Sequence, residues 1–169
     1  VQANYSVTDD PSEAETIVVN TCGFIEASKK ESIQRILDMS ALKESGQIKK
    51  LVVAGCLTQR YKDDLVEGLP EADLFVGSGE FQNISKILKN FEEGDKKKTF
   101  FNLPTYLQEE STPRVNSQPK HRAYLKISEG CNRTCTFCAI PIMRGKHVSK
   151  TIEQIIQEAE NLVKKGVKE

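Results

Sequence analysis

Tryptophan is absent from the 169 residues, and aromatic residues are few, four tyrosines and seven phenylalanines. No platform for stacking bases stands out from such a sequence. Neither sign of charge is in excess: 24 Lys+Arg stand against 24 Asp+Glu, for a formal net charge of zero. That argues against the basic footprint that draws proteins onto nucleic acid or acidic membranes, so no direct nucleic-acid or membrane partner is expected. Long apolar runs are missing as well. Ile17-Val18-Val19 and Leu51-Val52-Val53-Ala54 are the longest, far below the roughly 18 residues that span a bilayer. No secretory signal pattern opens the chain, which begins at Val1 and stops at Glu169 just beyond a helical stretch. It reads as a piece of a longer, cytoplasmic protein.

Cysteine is scarce and odd in number: five residues, at positions 22, 56, 131, 135 and 138. An odd count without a secretory signal argues against a disulfide framework. Three of the five crowd into residues 131–138. In a cytosolic chain such a cluster more often holds metal.

What is present is a rhythm of short β-branched runs and helical stripes. Ile17-Val18-Val19 suits a buried strand; Ile33, Ile36, Leu37 and Ala41 then fall at helical spacing, with Gly46 as a stop. Leu51 to Ala54 is a second strand, and Leu57, Tyr61, Leu65 and Leu69 mark the next helix face before Pro70. Leu74-Phe75-Val76 is a third strand, followed by a stripe of Phe81, Ile84, Ile87, Leu88 and Phe91. Repeated β-α units with short turns predict an open parallel sheet covered by helices over residues 1–92. Residues 93–120 break the rhythm with Lys96-Lys97-Lys98 and with Pro104, Pro113 and Pro119. They read as a solvated linker, with Phe100-Phe101 as a possible edge strand. From residue 121 a second domain begins: a strand over Ala123 to Ile127, a cysteine loop, then a helix opened by the capping-box sequence Thr151-Ile152-Glu153-Gln154. Its apolar face carries Ile152, Ile155, Ile156, Ala159, Leu162 and Val163, with Gly166 at the stop.

The strongest motif is Cys131-x-x-x-Cys135-x-x-Cys138, between that strand and that helix. Three thiolates so spaced can each hold one iron of a four-iron cluster and leave the fourth open to a small molecule. The rival reading is structural zinc, which usually takes four ligands in paired spacings; His147 stands nine residues past Cys138 as a possible fourth. His121 and His147 otherwise read as surface residues. Cys22 and Cys56 each end a predicted strand, and the C-terminal strand ends of a parallel sheet are where ligands gather. Each is equally readable as a small buried hydrophobe.

Taken together, Asn20-Thr21-Cys22-Gly23-Phe24-Ile25, Gly55-Cys56, the stretch Tyr124 to Cys131 and the stretch Met143-Arg144-Gly145-Lys146-His147-Val148-Ser149 resemble the radical S-adenosylmethionine methylthiotransferase family from end to end. Within it the sequence is most similar to the branch that modifies an aspartate of small-subunit ribosomal protein uS12. The branch that acts on transfer RNA usually has a charged residue where Phe24-Ile25 stand. The resemblance implies an α/β fold, with an N-terminal methylthiotransferase domain followed by the start of a radical (β/α) barrel. It implies two four-iron clusters and S-adenosylmethionine as cofactors. Cys131, Cys135 and Cys138 would hold the cluster that binds S-adenosylmethionine, with Phe137 and Arg144 at its pocket. Cys22 and Cys56 match two of the three ligands of an auxiliary cluster, the first having no match in this chain. One S-adenosylmethionine would methylate a sulfur at the auxiliary cluster. Another would yield the radical that removes a hydrogen from the aspartate β-carbon. Expected partners are the ribosomal protein and an electron donor such as flavodoxin or ferredoxin. Lys150 stands where the family often has Arg. The alternatives are the same chemistry on a transfer RNA adenosine, and a non-enzymatic zinc-binding domain.

Overall fold

The computed structural model describes residues 5–105, 107 and 118–169. Val1 and part of the segment read as a linker, Tyr106 and residues 108–117 with Pro113 among them, lie outside the described residues. The chain forms a four-stranded sheet in the order β1 (Thr16–Thr21), β2 (Lys50–Gly55), β3 (Leu74–Gly77) and β4 (Thr99–Phe100), every neighbouring pair parallel. Helices α1 (Glu26–Glu44), α2 (Cys56–Gly68, kinked at Lys62) and α3 (Ile84–Glu92) connect them, with a 3-10 turn at Ser78–Asn83. This is the α/β architecture that the β-α rhythm predicts. Thr99–Phe100, inside the lysine-rich segment, adds the edge strand beside β3.

Alternation along the strands divides the core in two, because successive side chains point to opposite sides of a sheet. Leu51, Val53 and Phe75 turn toward α1 and α2, where they pack with Ile36, Leu57, Leu65 and Leu69. Val52, Ala54, Leu74 and Val76 turn the other way and meet Ile87 and Leu88 of α3. β2, covered on both faces, has four consecutive residues at 0% exposure, Leu51 to Ala54. β1 differs from its expected burial. It lies at the edge of the sheet, and Val18 is 41% exposed because α3 covers only the more central strands on that face.

α1 also differs from its expected face. Leu37 and Ala41 are exposed, whereas Ser32, Ile36 and Ser40 are buried. The buried stripe is one residue off the apolar one, and two small polar residues lie in it. At the far end of the sheet Asp73 accepts from Lys43 Nζ at 2.7 Å and from the Leu51 amide at 2.8 Å, tying α1 to β2.

The remaining elements are β5 (Ser128–Glu129), α4 (Ile140–Arg144), β6 (Val148–Ser149) and α5 (Ile152–Lys164). The strand expected over Ala123–Ile127 is not formed; instead β5 and β6 pair antiparallel for two residues. A strand needs a ladder, and Ala123–Ile127 makes only isolated rungs. Ile127 O accepts from the Lys150 amide, and the Ala123 amide donates to Glu169 O while His121 O accepts from the Glu169 amide. That last pair of bonds is one rung of parallel pairing around Arg122. α5 starts with the expected capping box: Thr151 Oγ1 accepts from the Gln154 amide, and Gln154 Oε1 from the Thr151 amide. None of its residues is buried.

Candidate functional site

The register of the first two strands determines where Cys22 and Cys56 stand. Thr21 of β1 is the partner of Gly55 of β2, so the two cysteines are the next residues out of neighbouring parallel strands, at the C-terminal edge of the sheet. Adjacent strands lie about 4.8 Å apart. The structure therefore places these cysteines side by side at the sheet edge. Cys22 is exposed on its loop; Cys56 is the first residue of α2 and buried.

The other three cysteines lie on the loop between β5 and α4, and all are free thiols. Gly130 starts this loop with φ +75°, a conformation that glycine adopts without penalty. A Cβ there would fall 2.2 Å from the Lys146 carbonyl oxygen, so the chain turns tightly against the Gly145–Lys146 turn just before Cys131. The Cys131 amide then donates to Gly145 O at 3.1 Å, and the Cys138 amide closes a turn on Cys135 O at 3.1 Å. The Arg133 amide points at Cys131 Sγ at 3.4 Å. Amide donors to sulfur are what cluster-bound thiolates accept. Phe137, next to Cys138, is 92% exposed. His147 is exposed, its amide bonded to Asn132 Oδ1.

The three thiols share a loop without meeting at one point. Among the described residues no three His, Cys, Asp or Glu side chains are gathered closely enough to hold a metal ion. The donor chemistry nevertheless fits an iron–sulfur cluster: soft thiols, a sulfur-directed amide at Arg133, and a partly exposed loop without regular structure. A metal gathers its ligands as it binds.

The two cysteine groups are neighbours in space, through α4. Met143, 1% exposed, packs with Ala139 against Cys56, and the carbonyl of Met143 accepts from Ser78 Oγ at the end of β3. Arg144 turns back to Glu129, at 3.3 Å, and its guanidinium lies beside the Cys56 thiol. Burial pushes that thiol above its ordinary range; Arg144 pulls it down, and Cys22 and Glu129 add to the rise. Burial would raise the Glu129 carboxyl as well, but Lys126, Arg144 and the Gly130 amide hold it below the usual carboxylate value. Arg144 thus sits at the seam between the two groups. Lys150 is pinned elsewhere, in a partly buried ion pair with Glu158 of α5.

Sequence reasoning missed Ser32, Arg60, Glu129 and Ser78. Each acts on backbone or on charge near a cysteine, and none belongs to a ligand-like pattern. The one available signal was spacing, since Arg60 follows Cys56 by four residues and so shares its helix face.

Comparison with known proteins bears on the same segments. Residues 1–77 match the uncharacterized protein family UPF0004, and residues 125–169 match the radical SAM superfamily. The ribosomal protein uS12 methylthiotransferase RimO of Bdellovibrio bacteriovorus is 74% identical over 165 residues, covering 98% of this chain and 36% of that protein. The enzymes of the same name from Trichlorobacter lovleyi and Clostridioides difficile are 45% and 47% identical, over 99% and 98% of this chain and 37% of each relative. The chain spans little more than a third of the length of these curated relatives. With a parallel α/β sheet at its start and a three-cysteine loop in its radical SAM segment, the chain belongs to the radical S-adenosylmethionine methylthiotransferase family.

Proposed function

We propose that the protein of which this chain forms part is a cytoplasmic methylthiotransferase that modifies an aspartate of ribosomal protein uS12, at its β-carbon, by radical S-adenosylmethionine chemistry. The observation that carries this reading is the pairing of two cysteine groups across one seam. Cys22 and Cys56 stand at a sheet edge, and the Cys131 loop is joined to Cys56 through α4. The relatives' printed names favour uS12 over the transfer RNA alternative, and a formal net charge of zero points the same way.

In this reading residues 1–92 are the methylthiotransferase domain, 93–120 the linker and 121–169 the beginning of the radical domain. Cys131, Cys135 and Cys138 hold the four-iron cluster that binds S-adenosylmethionine, and Cys22 and Cys56 supply two ligands of an auxiliary cluster. When bound, the first cluster supplies the electron that releases a 5′-deoxyadenosyl radical from S-adenosylmethionine, with flavodoxin or ferredoxin as the upstream donor. Chain residues do the rest of the arranging. Gly130 and the Cys131 amide hold the loop against the Gly145–Lys146 turn, while Met143 and Ser78 seat α4 over Cys56. Arg144, tied to Glu129, keeps a positive charge at the pocket. Phe137 stands exposed on the loop, available to flank a bound cofactor. A radical that must not reach water requires both sites to open on one cavity, and the packing of α4 on Cys56, with Arg144 beside it, supports that arrangement.

The test is anaerobic incubation of the full-length protein with uS12, S-adenosylmethionine and a strong reductant, followed by mass spectrometry of the aspartate-bearing peptide. A methylthio addition on that peptide is expected. Modification of transfer RNA with uS12 untouched would replace this reading with the alternative.

A further inference from the structure

The Cys22 loop is held by two side chains that the chemistry of cluster ligation does not itself require. Ser32 lies on the buried face of α1, where an apolar residue would be expected. Its single hydroxyl accepts from the Cys22 amide at 3.0 Å and faces the Cys22 carbonyl at 3.2 Å. It thereby occupies both backbone groups of the cysteine. Arg60 approaches from the other side. It lies one turn after Cys56 on α2, and its Nη1 donates to the Gly23 carbonyl at 2.6 Å and reaches the Phe24 carbonyl at 3.4 Å. The guanidinium rests over the Tyr61 ring, 5.3 Å from its centroid, which leaves the planar fork little freedom. Between these two clamps Gly23 is pressed onto α2. A Cβ at Gly23 would come within 2.9 Å of Leu57 Cα and 3.3 Å of the Cys56 carbonyl oxygen, both backbone atoms that cannot step aside.

We infer that Ser32 and Arg60 are positioning residues that seat the Cys22 loop on the first turn of α2, presenting Cys22 and Cys56 as a preformed pair. The inference rests on the reading that these cysteines ligate an auxiliary cluster. Neither side chain touches the reacting groups. Ser32 fixes the depth of Cys22 from the α1 side, and Arg60 fixes the exit of the loop from the α2 side. Because Arg60 and Cys56 share one helix face, movement of α2 carries the clamp and the second ligand together. Residues that orient metal ligands in this manner matter to affinity nearly as the ligands do.

The experiment uses the full-length protein with Cys131, Cys135 and Cys138 all replaced by Ala, so that any cluster present is the auxiliary one. After anaerobic reconstitution with iron and sulfide, iron per chain, the electron paramagnetic resonance spectrum and the rate of iron loss to a chelator are measured. Arg60→Met and Ser32→Ala are expected to hold iron about tenfold more weakly than this parent and to broaden its spectrum. Arg60→Lys, which keeps a donor, recovers part of the loss. With the loop cysteines intact, the same variants still form 5′-deoxyadenosine at the unsubstituted protein's rate. Loading and spectra equal to the parent's in both variants overturn the inference while leaving the ligand reading intact. Equal loss of both clusters, together with loss of folded protein, also overturns it, since the residues would then serve the fold alone. If the parent itself takes up iron no better than its Cys22→Ala derivative, the ligand reading falls, and the inference with it.

Discussion

Residues 16–100 and residues 121–169 solve the same packing problem to different degrees. In the first region β2 is covered on both faces, Leu51 to Ala54 are wholly inaccessible, and two apolar clusters lock three helices to the sheet. In the second, α5 has an apolar stripe as regular as any in the chain, yet Ile152, Ile156 and Val163 are 71%, 53% and 67% exposed. The difference lies in what covers each element. Among the described residues that stripe is only partly covered, at Ile155, Ala159 and Leu162, and full burial of such a side chain is worth roughly 1.5–3 kcal/mol. The sheet supports itself and carries Cys22 and Cys56. The cysteine loop depends on α4, which is docked onto the sheet through Met143 and Ser78.

This contrast can be broken most severely at the cysteines. Replacing Cys131, Cys135 or Cys138 singly by Ala in the full-length enzyme should abolish reductive cleavage of S-adenosylmethionine, read as 5′-deoxyadenosine by chromatography. A three-ligand site has no spare donor. Retained cleavage in all three variants would remove the loop from the account.

The packing difference itself is read from stability. Leu57→Ala in α2, at a wholly buried position, should cost about 2–5 kcal/mol in denaturant unfolding of the 169-residue chain. Ile156→Ala in α5, at a half-exposed one, should change stability by no more than about 0.5 kcal/mol. Comparable losses at the two sites would show that α5 is covered after all.

A smaller loss is expected at the Lys43–Asp73 tie. Asp73→Ala removes the acceptor of both the Lys43 ammonium and the Leu51 amide, for roughly 1.5–3 kcal/mol. Its effect should be confined to the first region. Hydrogen exchange sharpens the point: amides of Leu51, Val52 and Val53 should be the slowest in the chain, and those of α5 should exchange far sooner. Protection of α5 equal to that of β2 would contradict the contrast.

These regions were also unequally legible from sequence. β2, β3, α2 and α3 follow directly from hydrophobic periodicity, because both sheet faces are buried and burial is what the pattern records. α1 misleads by one residue, since its inner face carries Ser32 and Ser40 and the Cys22 loop uses the first of them. Val18 misleads because edge position, which no local pattern encodes, decides its exposure. Ala123–Ile127 has strand-like residues, but pairing is a property of neighbours. The motif Cys131-x-x-x-Cys135-x-x-Cys138 was plain from spacing alone. That Arg144 would bridge Glu129 and Cys56 was not, because it depends on how α4 docks.

In the proposed function, one chain carries two cysteine sites with separable duties, one for generating the radical and one for delivering sulfur. The most direct measurement is a parallel assay of 5′-deoxyadenosine and methylthiolated uS12 in the full-length enzyme with Cys22 and Cys56 both replaced by Ala. Continued 5′-deoxyadenosine formation with no methylthiolated product is expected. Product formed at the unsubstituted enzyme's rate would contradict it, and would leave Cys22 and Cys56 as packing residues of the sheet edge.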